Sequence, residues 1–198
     1  MAATLIAGSA TAATLDFETD AGGNPLSPPT AFASTGPLTN EYQGLGVVFG
    51  GGGAILDQGS NFGVSGFSPT NFLAYNSGAN FSSGGAVSNG DTMTFGSDQT
   101  SVSFYAATRF SATLTVEAFD AAANSLGTRQ VVIDSDGELV QLQLGGIRSL
   151  SYVTDNSDWV LDDLTFDATP IDPVPGPAPF ALLATAIAGL SVLRSRRG

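Results

Sequence analysis

Apolar and polar residues alternate singly along much of this chain, and turn-forming residues interrupt the alternation at short intervals. In Ser111–Asp120 (SATLTVEAFD), Leu114, Val116 and Ala118 fall on one side of an extended chain, opposite Thr113, Thr115 and Glu117. In ELVQLQLGG, Leu142 and Leu144 face away from Gln141 and Gln143. This period of two predicts strands over Thr14–Glu18, Leu45–Phe49, Asn71–Tyr75, Thr92–Phe95, Ser101–Ala106, Thr113–Phe119, Thr128–Asp134, Leu139–Leu144, Arg148–Thr154 and Trp159–Phe166. Turns such as Ser135-Asp136-Gly137 and Gly145-Gly146 separate them, and no convincing helical period lies between the two ends of the chain. The expected fold is all-β, an antiparallel β-sandwich over residues 14–168 with a core of Phe and Val.

Residues 22–90 break the pattern, being rich in Gly, Ser, Asn, Thr and Pro with scattered aromatics. They predict long loops, either a binding region carried on the sandwich or plain surface connections. GLGVVFGGGGAIL does not make a phosphate loop, because no Lys and no helix follow its glycines. Gly50–Gly53 reads instead as a flexible turn between two strands. No internal repeat argues for a solenoid.

Composition narrows the chemistry. The 198 residues include no Cys and no His, and all six basic residues are Arg. Thiol catalysis, a Ser-His-Asp triad, imidazole-bound zinc and Schiff-base chemistry are thereby excluded. From Thr14 to Asp172, eighteen acids stand against Arg109, Arg129 and Arg148, a formal charge of −15. Such a surface repels phosphate backbones, so nucleic acid is not an expected partner. It suits an exported protein, or one that gathers divalent cations.

The ends differ from the middle. Residues 1–13 (MAATLIAGSATAA) place a small apolar run before Ala10-Thr11-Ala12, the small-x-small pattern that signal peptidase cuts, although a positive leader is missing. At the other end, Pro-rich residues 169–177 precede an uncharged run from Ala178 to Leu193 and a basic tail, 194–198. As a helix, those sixteen residues would cover about 24 Å of a hydrocarbon core of about 30 Å. Arg194, Arg196 and Arg197 would remain cytoplasmic, which puts the sandwich outside.

Val174, Pro175, Gly176, Pro177 and Ala178, followed by the apolar segment and Arg-Ser-Arg-Arg-Gly, resemble the PEP-CTERM class of sorting signals, closest to its VPxPA subtype. The resemblance implies a transient membrane anchor. An exosortase would cut near the Pro motif and release the sandwich to the cell surface or extracellular matrix of a Gram-negative bacterium. Gly176 stands where the commoner form has Glu.

Two acidic clusters carry the remaining chemistry. Asp16, Glu18 and Asp20 lie in the opening strand TLDFETD, and Asp162-Asp163 in the last, WVLDDLTFD. In that strand Val160, Leu164 and Phe166 share a face, which sets Asp162 among apolar neighbours, where it needs a hydrogen bond, a metal or an Arg. Calcium favours hard oxygens gathered in this way. The early DFE with the late LDDLTF resembles jelly-roll carbohydrate-binding modules and their galactose-binding-like relatives. In those, a structural calcium sits near the chain ends, and the resemblance makes Glu18 and one of Asp162 or Asp163 its side-chain ligands. An exposed aromatic platform for sugar would draw on Trp159, Tyr42 and Tyr75, with Tyr105 and Tyr152 as further Tyr. Trp159 lies on the outer surface if Val160 faces the core, or it caps a sheet end. The expected protein is a non-catalytic envelope or matrix module that binds exopolysaccharide or calcium. A purely structural surface protein and, more distantly, a carboxylate-dependent glycoside hydrolase are the alternatives.

Overall fold

The computed structural model describes residues 11–60, 62–64, 68–76, 90–155 and 158–168. Eleven strands form in these segments: β1 Thr11–Leu15, β2 Val47–Gly50, β3 Ala54–Asp57, β4 Asn71–Tyr75, β5 Asp91–Gln99, β6 Val102–Ala107, β7 Ala112–Phe119, β8 Ser125–Ile133, β9 Glu138–Leu142, β10 Ile147–Thr154 and β11 Trp159–Ala168. Every strand expected from the alternation is present in some form. The strand β3 has no counterpart among the ranges read from the alternation, although the turn at Gly50–Gly53 implies a strand after it. The opening strand is displaced: it ends at Leu15, and Asp16–Glu18 follow it instead of belonging to it.

All pairings are antiparallel. One sheet runs β3-β4-β11-β6-β9 with β1 added beside β11, and the other runs β2-β5-β10-β7-β8. Counted from β4 to β11, the strands lie first-eighth-third-sixth in one sheet and second-seventh-fourth-fifth in the other. That interleaving is a jelly roll. Successive strands mostly cross from sheet to sheet, so inward residues from both faces, among them Val47, Met93, Phe104, Leu114, Val116, Val140 and Leu161, close one core.

A second apolar cluster lies on the outside of the six-stranded sheet. Leu56, Phe72, Ala74, Ala107 and Val160 point outward there and are roofed by Phe32 and Phe62. Phe32 and Phe62 of the Gly- and Pro-rich region therefore form a lid over one face. Gly50–Gly53 joins β2 to β3, as expected, but closeness and not flexibility selects its glycines. A Cβ would stand 1.9 Å from Asp91 Oδ1 at Gly51, whose φ is 108°, and 2.5 Å from the Tyr75 ring at Gly53.

The first and last strands meet as expected, with Thr11 opposite Ala168 and Leu15 opposite Leu164. The strand β1 takes in Thr11 and Ala12 of the small-x-small pattern and Ala13 after it. Among the described residues no helix is long and apolar enough to cross a membrane. The sorting motif at 174–178, the apolar run at 178–193 and Arg194, Arg196 and Arg197 lie outside the described residues.

Candidate functional site

A bulge in β11 sets the geometry of the acidic crevice. The ladder to β6 slips between Asp162 and Thr165, and Asp163 takes the left-handed conformation at φ 51°. Trp159 and Leu161 consequently face the main core, Val160 and Asp162 face outward, and after the extra residue Leu164 and Phe166 face inward again. Val160 therefore does not share a face with Leu164 and Phe166. An unbroken alternation cannot anticipate that inserted residue. Phe17, just past the end of β1, is also left-handed at φ 58°. Two such non-glycine residues at one place cost about 1–3 kcal/mol each and mark a site held by its surroundings.

Glu18 is one of the holding groups. Its Oε1 accepts from the backbone N–H of Thr70 and of Asn71, both at 2.8 Å, and its Oε2 from the Thr70 hydroxyl and Asn71 Nδ2. Partial burial opposes its charge, but these donors outweigh burial and keep Glu18 below its ordinary pKa. Four donors fill four acceptor positions, so Glu18 is a clamp between the chain start and the loop before β4. It has no lone pair left for calcium.

Asp162 is fully buried; its Oδ2 accepts from the Ser68 hydroxyl and its Oδ1 from the backbone N–H of Asp163, both at 2.8 Å. Burial drives its carboxyl up to about 8, the two hydrogen bonds pull it down, and the charges of Asp163 and Glu18 push it up again. Asp163 is raised by burial and by Asp16. Among the described residues Arg148 pairs with Asp98 at 3.1 Å, Arg109 lies over the Phe110 ring, and Arg129 sits in edge strand β8. Among the described residues no three acidic side chains converge as one metal-ligand set. The Asp162 oxygens each keep a lone pair, so Asp162 and Asp163 suit a hard cation and Glu18 does not. A calcium there would take most of its six to eight or so oxygens from main-chain carbonyls and water.

The aromatics expected as a sugar platform are core residues. Trp159 stacks on Tyr75 with centroids 4.6 Å apart, and the Tyr75 hydroxyl meets that of Tyr152 at 2.6 Å. Tyr42 donates to Thr19 O at 2.7 Å. All three are at most 2% exposed, because inward positions of both sheets need bulk and their polar tips find partners inside. Tyr105, opposite Asp162 in the ladder, is 38% exposed instead.

The five-stranded sheet offers a different surface. Gly50, Thr92, Ser151, Glu117 and Thr128 lie in register across β2, β5, β10, β7 and β8. A second row is Val48, Thr94, Ser149 and Phe119, and a third is Val153, Thr115 and Gln130. These outward side chains are half-buried or exposed, and Glu117 is the only charged one in the three rows. Sequence reading placed Thr113, Thr115 and Glu117 on one face but could not see which strands lie beside them.

Asp91, at the start of β5, was also invisible in the sequence. Its Oδ1 accepts from Gly52 N at 3.0 Å, its buried Oδ2 has no donor, and burial lifts it to about 6.

No family model matches the chain, and no curated protein does. Solved structures similar to it include a DUF4465 family protein from Bacteroides caccae, at 11% identity over 83% of this chain and 96% of that one, with a TM-score of 0.48. A family 6 carbohydrate-binding module is 17% identical over 59% and 94%, with a TM-score of 0.32. The family 11 carbohydrate-binding module of a Clostridium thermocellum cellulosomal cellulase is 11% identical over 63% and 87%, with a TM-score of 0.28.

Proposed function

We propose that this chain is an exported, non-catalytic binding module whose ligand is a neutral polysaccharide lying across the outer face of the five-stranded sheet. One observation carries the reading: on a chain with eighteen acids and six Arg, three rows of outward residues on five strands include a single charge, Glu117. Neighbouring strands are about 4.8 Å apart, so the hydroxyls form a regular array. Thr is stiff about χ1, and each hydroxyl both donates and accepts, so the array is preorganised for sugar hydroxyls. Phe119, Val153 and Val48 add apolar contacts for sugar C–H groups.

The test is a pull-down on insoluble xylan, glucan and mannan, with alginate as the anionic control. Binding to a neutral polymer should drop at least tenfold in Thr94→Val/Ser149→Ala/Thr115→Val, with no sugar released by the wild type. Equal binding by that variant, or binding to alginate alone, overturns the reading. Processing at the Pro motif would place the module at the cell surface, and the mass of the mature protein checks it: retention of Arg194–Arg197 contradicts it.

A second reading concerns calcium, which would relieve the buried crowding of Asp162 and Asp163. Calcium should raise the melting temperature and EDTA lower it; identical melting in both rules the ion out.

A further inference from the structure

The array of hydroxyls ends in a cleft. Gly46 is left-handed at φ 95° and accepts a hydrogen bond from Gly96 N at 2.9 Å, where the turn before β2 meets β5. Neither residue has a side chain to close the gap. A Cβ on Gly46 would stand 4.0 Å from the Phe166 ring, and one on Gly96 3.7 Å from Gly46 O. Leu45, Val48, Thr94, Phe95, Phe166 and Gln99 line the opening, which holds about 480 Å³. Small-molecule sites occupy roughly 300–1,000 Å³. The opening is therefore large enough for a ring.

Its lining carries one charge, on Asp167, and is otherwise part apolar and part polar. Asp167, the one acid in the lining, is held below its usual range by the Thr100 hydroxyl and the Thr100 and Ser101 N–H groups. Leu45 is exposed at the rim, and the two Phe rings form an apolar floor. Gln99 is 1% exposed; its Nε2 donates to Ser97 O at 2.8 Å and Ser97 Oγ at 3.2 Å, while Oε1 has no donor. A buried acceptor left unpaired is destabilising, and a ligand hydroxyl would relieve it. Val48 and Thr94 belong both to this cleft and to the second row of the open face. The two surfaces are continuous.

We propose that this cleft binds one glycosyl unit of the polysaccharide, its C–H face against Phe166 and Leu45 and a hydroxyl donating to Gln99 Oε1. The proposal rests on the polysaccharide reading above. Arg148, which donates to Gly96 O at 3.1 Å beside the cleft, is already paired with Asp98, and Asp167 repels an anion; a purely apolar ligand leaves Gln99 unsatisfied.

Calorimetry of the full chain with cello-, xylo- and mannohexaose tests it. Gly96→Val should close the cleft and weaken the bound hexasaccharide at least tenfold; the φ of Gly96 is not left-handed, and its Cβ contact is an ordinary one. Gln99→Met should weaken binding about fivefold while melting at or above the wild-type temperature, a combination that general unfolding does not produce. Leu45→Ser, on an exposed residue, keeps the test valid if Gly96→Val fails to fold. If a hexasaccharide binds the wild type and Leu45→Ser, Gln99→Met and any folded Gly96→Val equally, the cleft is not a subsite and the open-face reading stands. If no hexasaccharide and no polysaccharide binds the wild type, both readings fall.

Discussion

On the six-stranded sheet the outward residues Leu56, Phe72, Ala74, Ala107 and Val160 meet Phe32 and Phe62 and are shut away from water. On the five-stranded sheet the outward residues Thr92, Thr94, Ser149, Ser151 and Thr115 have no such roof among the described residues. Both faces belong to one jelly roll and share one core, yet among the described residues Phe32, before β2, and Phe62, before β4, cover only the apolar face. A sheet can leave a face in water when its outward side chains hydrogen-bond to water, and must cover it when they do not. The surface that stayed open is the one with the chemistry to hold a polar ligand, and the covered one is structural.

Breaking the roof should cost most. Phe72→Ala leaves a cavity beneath Phe62, and denaturant unfolding should show a loss of about 3–5 kcal/mol. A loss under 1 kcal/mol would mean that the lid does not form a second core. Removing the clamp comes next. Glu18→Ala frees four donors on Thr70 and Asn71 and should cost roughly 2–3 kcal/mol, read in the same experiment.

The third effect is a pH slope. Burial holds Asp162 at about 8, against 3.8 for an ordinary Asp. The folded chain therefore keeps a proton that the unfolded chain gives up. Stability from this group is full below about pH 4 and is lost as pH rises towards 8. Asp91, at about 6, adds to the slope with the same sign. In EDTA the melting temperature should fall between pH 4 and 8, and Asp162→Asn should remove most of the fall. A cation at Asp162 would reverse the trend, since it requires the carboxylate; the same scan in calcium therefore separates the two states. The smallest effect on stability belongs to the open face: Thr115→Val should change it by less than about 0.5 kcal/mol while lowering polysaccharide affinity.

The fold was legible where burial alternates without interruption. The strand β7 shows buried and half-buried residues in strict succession, as its sequence predicts. Legibility ended where a residue was inserted or a partner was distant. Asp163 adds one residue to β11, and this reverses the faces deduced for Val160 and Trp159. Glu18 and Asp162 were recognisable as unusual carboxylates, but their donors Thr70, Asn71 and Ser68 lie about fifty and ninety residues away. The aromatics misled for a physical reason: Trp159, Tyr42 and Tyr75 carry polar groups, and periodicity does not tell whether an interior partner will satisfy them. The open face was half visible, because strand order, and not any single strand, assembles it.

The pairing of β1 with β11 also fixes how the domain bears load. Thr11 lies opposite Ala168, so both ends of the described chain leave the sheet side by side. A pull applied between them would not shear the ladder as a block. It would open β1 from β11 one residue pair at a time, beginning at Thr11–Ala168 and arriving last at Leu15–Leu164, where Glu18 ties the next residues to the loop before β4. A module tethered at both ends would therefore yield first as a zipper. The same module held at the end of β11, with a ligand across the other sheet, would take the force into β11 and leave β1 out of its path.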